Sequence, residues 1–255
     1  MMGIPLIDTH THLADPAFDT DRNEVLERAR LAGISSVFLV SETLQEAEKN
    51  LALCREYEML KPLAGLYPTF LDLEEADRMV RFIRTHRDEL VGIGEVGLDF
   101  WKVKEEDDRA VQRRIFEMFI TLSKELDLPL NIHSRSAGRH VIQILIDHGA
   151  SKVQLHAFDG RASSAKAAVD AGYYFSIPAS ILRSNQKQKL VRHLPLSCLL
   201  LETDSPVLSP NPEERNEPAN MILALKTVAD IKGIESEMIS EAVYQNTVML
   251  YGPLD

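Results

Sequence analysis

Short apolar runs recur along this chain with amphipathic stretches between them. The runs are Ile4–Asp8, Ser36–Ser41, Pro62–Tyr67, Val91–Glu95, Leu128–His133, Lys152–His156, Gly172–Ile177 and Cys198–Asp204. Hydrophobicity that is nearly continuous, without strict alternation, suits parallel strands covered on both faces. The stretches Asp21–Leu31, Leu44–Glu58, Glu74–Arg87, Asp108–Leu126, Ala137–His148, Ser163–Ala171, Asn185–Leu194 and Asn220–Ile231 instead space their apolar residues by three and four, as Val111, Ile115, Met118, Phe119 and Leu122 do. That period predicts helices. Gly33, Gly149 and Gly172 follow helical runs and read as C-terminal stops. Ser236–Leu250 predicts one more helix, packed across the bottom or side of the fold.

Strict strand–helix alternation admits an open doubly wound sheet or a closed (β/α)8 TIM barrel. Eight units filling a chain of 255 residues favour the barrel as a single domain over 1–255. The three glycines of GIGEVG, Gly92–Gly97, do not make a dinucleotide turn, because Glu95 sits where the backbone would have to approach a pyrophosphate.

With 45% hydrophobic and 26% charged residues the chain can bury a sizeable core and carries no sign of disorder. Cys54 and Cys198 lack metal-type spacing and read as thiols in a reducing compartment. The start MMGIPLIDTH has no basic leader or long apolar run, so the expected location is cytoplasmic, with no membrane span. A net charge of −11 argues against a broad nucleic-acid-binding surface. It leaves a phosphate substrate open, since bound divalent cations can dominate a small site.

The chemistry lies where the runs end. His10 and His12 follow the first, Glu95 closes the fourth, His133 the fifth, His156 the sixth and Asp204 the eighth. In a (β/α)8 barrel the carboxyl ends of all strands open on one face, so these residues converge. Four of the eight histidines occupy such junctions; His86, His140, His148 and His193 fall on helices or loops and read as solvated or capping residues. Imidazoles with carboxylates suit zinc, manganese, iron, nickel or cobalt, and two carboxylates keep magnesium in play. Six donors exceed one open tetrahedral site. Two divalent metal ions about 3.5–4 Å apart, sharing a carboxylate, use them economically and generate a hydroxide near neutral pH.

The segments IDTHTHL, GIGEVGLDF, NIHSR, LHAFDG and LLETDSP with the following RNEP resemble the TatD family of metal-dependent deoxyribonucleases, within the amidohydrolase-like barrels, from Asp8 to Pro218. HSRSAGR, LHAFDGR and FSIPASILRSNQKQKLV are similar to its TatD-domain-containing 3 type. The resemblance implies that His10, His12, Glu95 and Asp204 hold one metal, while Glu95 bridges to a second held by His133 and His156. It also implies hydrolysis of DNA phosphodiesters, as a 3′-exonuclease on single-stranded ends, and the chain is expected to act as a monomer. Asp204 and Glu95 are the expected catalytic carboxylates, Asp204 taking the nucleophile's proton; Glu202 is a candidate to orient a histidine. Where the family commonly has G-hydrophobic-His-Pro, this chain has Gly65-Leu66-Tyr67-Pro68, so a phenol replaces an imidazole. Tyr67, Arg135, Arg215 and Asn216 are the expected substrate-binding residues, and Phe100 or Trp101 a platform for a base. The alternative is an amidohydrolase acting on an ester, lactone or amide, since the same metal chemistry serves a carbonyl carbon. Glu95 stands where several such barrels use a carboxylated lysine.

Overall fold

A computed structural model describes residues 4–254. Eight parallel strands neighbour one another in chain order: β1 (Leu6–Thr11), β2 (Ile34–Leu39), β3 (Leu60–Ala64), β4 (Gly92–Gly97), β5 (Leu130–His133), β6 (Val153–Leu155), β7 (Tyr174–Ile177) and β8 (Leu199–Leu201). The helices between them are α1 (Arg22–Leu31), α2 (Leu44–Glu56), α3 (Leu73–Thr85), α4 (Glu106–Leu126), α5 (Gly138–Asp147), α6 (Ala162–Asp170) and α7 (Asn185–His193), with α8 (Met221–Lys232) and α9 (Ser236–Tyr251) completing the chain. The barrel closes just beyond β8, where the Asp204 N–H donates to the His10 carbonyl at 2.9 Å and the His12 N–H to that of Ser205 at 2.8 Å. All eight predicted strands are present, though β1 runs on through His10 and β8 stops at Leu201, before its polar residues.

Local chemistry explains the helix ends. Asp72 accepts the Glu74 and Glu75 N–H groups at the start of α3, and Thr43 accepts that of Glu46 at the start of α2. The stops expected at Gly33, Gly149 and Gly172 carry positive φ, the left-handed geometry that ends helices. Between strands and helices lies the apolar layer: Phe116 and Phe119 of α4, Val141 and Leu145 of α5 and Val37 of β2 are all buried. No helix among the described residues is long and apolar enough to cross a membrane.

Inside the barrel the packing is polar. Gln154 donates to the Ser176 and Thr9 hydroxyls at 2.8 and 3.0 Å, and Tyr251 reaches in from the end of α9 to donate to Gln154 Oε1 at 2.7 Å. The Tyr251 ring meets Phe38 edge-on at 4.8 Å and closes the lower end of the barrel with Ile7, Val40 and Leu63. The appended helix is therefore the floor beneath the polar interior.

Candidate metal centre

The donors reach the upper face through departures from ideal strand geometry. Opposite β2, β1 slips register between Asp8 and Thr11, so the side chains there do not simply alternate in and out. Asp8 ties β1 to the stretch just past β8, accepting the Thr203 N–H at 2.9 Å and its hydroxyl at 2.5 Å. His10 and His12 still converge, their Nε2 atoms 3.3 Å apart. On β4, Gly97 has φ +146°, and a Cβ there would fall 2.0 Å from the His133 carbonyl oxygen. Only glycine lets β4 approach β5 this closely, which sets Glu95 beside His133. Asp204 takes the left-handed conformation (φ 59°) just past β8, a geometry that short polar side chains tolerate.

The two oxygens of Glu95 face two different histidine pairs. Oε2 lies 3.7 Å from His10 Nε2 and 3.6 Å from His12 Nε2, while Asp204 Oδ1 stands 3.6 and 3.4 Å from the same nitrogens. Oε1 lies 2.5 Å from His133 Nδ1 and 3.3 Å from His156 Nε2. A cation with bonds of about 2.0–2.1 Å to imidazole and carboxylate separates tetrahedral donors by about 3.3–3.4 Å. The triangle His10–His12–Glu95, with edges of 3.3, 3.6 and 3.7 Å, is within a few tenths of that size. Two groups of donors thus meet at the Glu95 carboxylate: the first has the size of a metal site, while in the second Glu95 Oε1 and His133 Nδ1 stand at hydrogen-bond distance.

The opposite ring nitrogens identify which atoms are free to ligate. Asn131 donates its amide N–H to the Thr9 carbonyl at 2.9 Å, so its oxygen faces His10 Nδ1 at 2.8 Å and that nitrogen carries the proton. Asp99 Oδ2 meets His133 Nε2 at 3.2 Å, and Glu202 Oε2 meets His156 Nδ1 at 3.3 Å. Each acceptor fixes a tautomer that turns a lone pair toward the centre, the arrangement usual behind metal-binding histidines. Glu202 is itself held by the Ser176 hydroxyl at 2.5 Å and the Ala157 N–H at 2.9 Å. The orienting role considered for Glu202 therefore has a direct contact behind it.

With protons in place of cations, the same cluster shows strongly perturbed acidities. Burial, then the charge of His156, lowers His10 to about 3. Burial would lower His12 too, but its bond to Asp204 and the charges of Glu95 and Asp204 outweigh that and raise it to about 9. His133 and His156 are also raised against their burial, by Glu95 and by Glu202 with Glu95 respectively. Glu95 is held well below the carboxylate range despite burial, by the charges of His133 and His156. Four imidazoles and a buried carboxylate thus compete for protons in a space that a divalent cation would neutralise.

The centre floors a pocket of about 450 Å³ lined also by Glu42, Tyr67, Arg135, Asp159 and Lys187. Tyr67 donates its hydroxyl to Asp99 Oδ2 at 3.3 Å, and burial with the charge of Glu95 raises its pKa, so it stays a neutral phenol. Arg135 lines the pocket with its guanidinium 3.8 Å from the Trp101 ring. Two expected substrate contacts lie elsewhere. Arg215 is bidentate to Asp21 at 2.9 and 2.6 Å and covers Phe18, and Asn216 is buried, donating to the Thr203 and Val207 carbonyls. Both brace the loop after β8 rather than line the pocket. Phe100 is likewise no platform for a base, being buried between Arg109 and His140, whereas Trp101 is 48% exposed. Sequence reasoning missed Lys187, whose buried ammonium donates to the Ala157 carbonyl at 2.8 Å and lines the pocket. It also missed Asp99 and Asn131, the partners of His133 and His10. Asp99 had a signal: an aspartate two residues after the last glycine of β4, which accepts the Trp101 and Lys102 N–H groups as a turn former does.

Comparison with known proteins agrees with this geometry. The family model described as TatD related DNase matches residues 7–252. The chain is 43% identical to "Deoxyribonuclease TATDN3" of Homo sapiens, over 99% of this chain and 96% of that protein. It is 31% identical to "Uncharacterized metal-dependent hydrolase YabD" of Bacillus subtilis, over 96% of this chain and 98% of the relative. Among solved structures, the TatD homologue YJJV of Escherichia coli superposes with a TM-score of 0.90 at 26% identity, covering 99% of this chain and all of that one.

Proposed function

We propose, for a chain that belongs to the TatD-related DNase family, that it hydrolyses DNA phosphodiester bonds from single-stranded 3′ ends. The observation that carries the reading is the split carboxylate of Glu95, one oxygen toward His10 and His12 and the other toward His133 and His156. His10, His12, Glu95 and Asp204 would hold one divalent ion; Glu95, His133 and His156 would hold the second. When bound, such ions supply Lewis acidity, lowering the pKa of water and neutralising charge on phosphate oxygens.

The chain's own residues do the rest. Asp204 receives the proton of the attacking water on its carboxylate, and its backbone N–H, anchored on the His10 carbonyl, keeps that carboxylate over the pair of imidazoles. Asn131, Asp99 and Glu202 hold His10, His133 and His156 in the ligating tautomer. Arg135 and Lys187 present cations to the phosphate, and Tyr67 presents a neutral donor. A pocket of about 450 Å³ over a buried floor is of a size for one strand end, which supports the single-strand reading. Two unpaired cysteines fit a cytoplasmic enzyme.

The decisive variant is Asp204→Asn, assayed on end-labelled single-stranded DNA alongside lactones and aryl esters. Loss of a general base lowers turnover by about a hundredfold or more while metal content stays near that of the parent protein. Parent-like turnover by the variant rejects the role of Asp204, and a parent protein that cleaves only the esters rejects the nuclease.

A further inference from the structure

We propose that the open groove between the loops following β5 and β6 is a track for the sugar-phosphate backbone of the single strand whose end lies in the metal pocket. This rests on the nuclease reading above and adds where the rest of the substrate runs. The groove has a volume of about 740 Å³, and Ser136, Arg139, Asp159, Arg161 and Ser163 line it. It continues the metal pocket. Asp159 lines both spaces, the β5 loop passes from Ser134 and Arg135 in the pocket to Ser136 and Arg139 in the groove, and the β6 loop passes from Ala157 to Arg161.

Charge singles this groove out. The chain carries a net −11, and many of its exposed guanidinium groups are held in ion pairs, among them Arg28 with Glu217, Arg55 with Glu89, Arg84 with Glu125 and Arg215 with Asp21. Arg139 and Arg161 line one groove, and neither side chain forms an ion pair with any described residue. The single acid between them, Asp159, already accepts the Ser136 N–H at 3.1 Å. At the inner end stands Lys187, a cation buried in a pocket mouth. A buried ammonium at the centre, Arg135 at the rim and two uncommitted guanidinium groups beyond form a line of positive charge on an otherwise acidic molecule. Fork-shaped guanidinium groups recognise phosphate without reading base identity, so the track grips any sequence.

The test compares two substrates in the full-length, metal-loaded protein and in the double variant Arg139→Ala/Arg161→Ala. The thymidine 5′-monophosphate p-nitrophenyl ester reports on the metal pocket alone; a 5′-labelled 20-mer oligonucleotide reports on pocket and groove together. The variant raises KM for the 20-mer about tenfold, as the loss of two charge-assisted phosphate contacts implies, and leaves kcat and both constants for the small diester unchanged. Binding of a cleavage-resistant phosphorothioate 20-mer to the metal-loaded protein, followed by fluorescence anisotropy, loses about 1.4 from the slope of log K against log salt, at about 0.7 per phosphate released from a single strand. Arg81→Ala/Arg114→Ala, equally exposed on α3 and α4, changes neither reading. A 20-mer KM within twofold of the parent value, an unchanged salt slope, or parallel loss on both substrates overturns the track. If the parent protein hydrolyses the small diester but neither binds nor cleaves the 20-mer, the DNA reading falls and takes the track with it, an outcome distinct because the unmutated protein shows it.

Discussion

Asn131→Ala removes the one contact that fixes the His10 tautomer, 2.8 Å from Nδ1, while leaving every proposed ligand in place. Losing a partner behind a metal-binding histidine lowers metal affinity about tenfold to a hundredfold, which is about 1.4–2.8 kcal/mol. The cost to the fold is limited, because the other groups that Asn131 touches keep partners. The Thr9 carbonyl still accepts from Gln154 at 3.3 Å, and the Tyr251 hydroxyl still donates to Gln154 at 2.7 Å. Two lost hydrogen bonds are worth about 1–3 kcal/mol, a fall of a few degrees in Tm. The assay is a chelator-competition titration with cobalt, read by its visible spectrum. One of two binding phases, that of the ion bound by His10 and His12, weakens, and the phase assigned to Glu95, His133 and His156 stays within a few-fold. Asn131→Asp, which keeps an oxygen toward His10, restores the weakened phase. An Asn131→Ala affinity within twofold of the parent protein in both phases refutes the reasoning, as does equal weakening of both.

Two further predictions concern the protein itself. In chelator-treated protein, His12 raised to about 9 contributes stability that is complete below its unfolded value of 6.5 and lost as pH rises through 9, whereas His10, lowered to about 3, contributes stability that is lost as pH falls from 6.5 toward 3. Tm plotted against pH therefore peaks near 6.5 and falls on both sides; metal-loaded protein loses the alkaline fall, and a metal-free curve flat from pH 6.5 to 9 contradicts the assignment. Gly97→Ala puts a methyl group 2.0 Å from the His133 carbonyl and demands positive φ of alanine, so β4 and β5 must part. Denaturant unfolding should show a loss of about 3 kcal/mol or more together with metal affinity; a loss below 1 kcal/mol contradicts the close approach.

The barrel and the convergence of donors were legible because both depend on short-range pattern. A buried strand announces itself by apolar residues, and a polar residue at its end has one face to go to. Contacts between distant segments were not legible. Arg215 follows β8 and looks free to reach the pocket, yet Asp21, at the start of α1, captures it; nothing near Arg215 in the chain signals that pairing. Phe100 and Trp101 are neighbours with opposite fates, decided by Arg109 and His140 packing on the first. Lys187 lies in the first turn of α7, where a lysine ordinarily reads as solvated, and only the fold brings that turn under the Ala157 carbonyl. Tyr251 falls one residue past the predicted terminal helix, Ser236–Leu250, and its hydroxyl enters the barrel to meet Gln154.

The central claim is that Glu95 joins two cations. Anomalous scattering from crystals grown with manganese or zinc tests it directly. Two peaks about 3.5–4 Å apart, one beside His10 and His12 and one beside His133 and His156 with Glu95 between them, are the predicted result. A single peak under saturating metal, or two peaks that do not share Glu95, contradicts it.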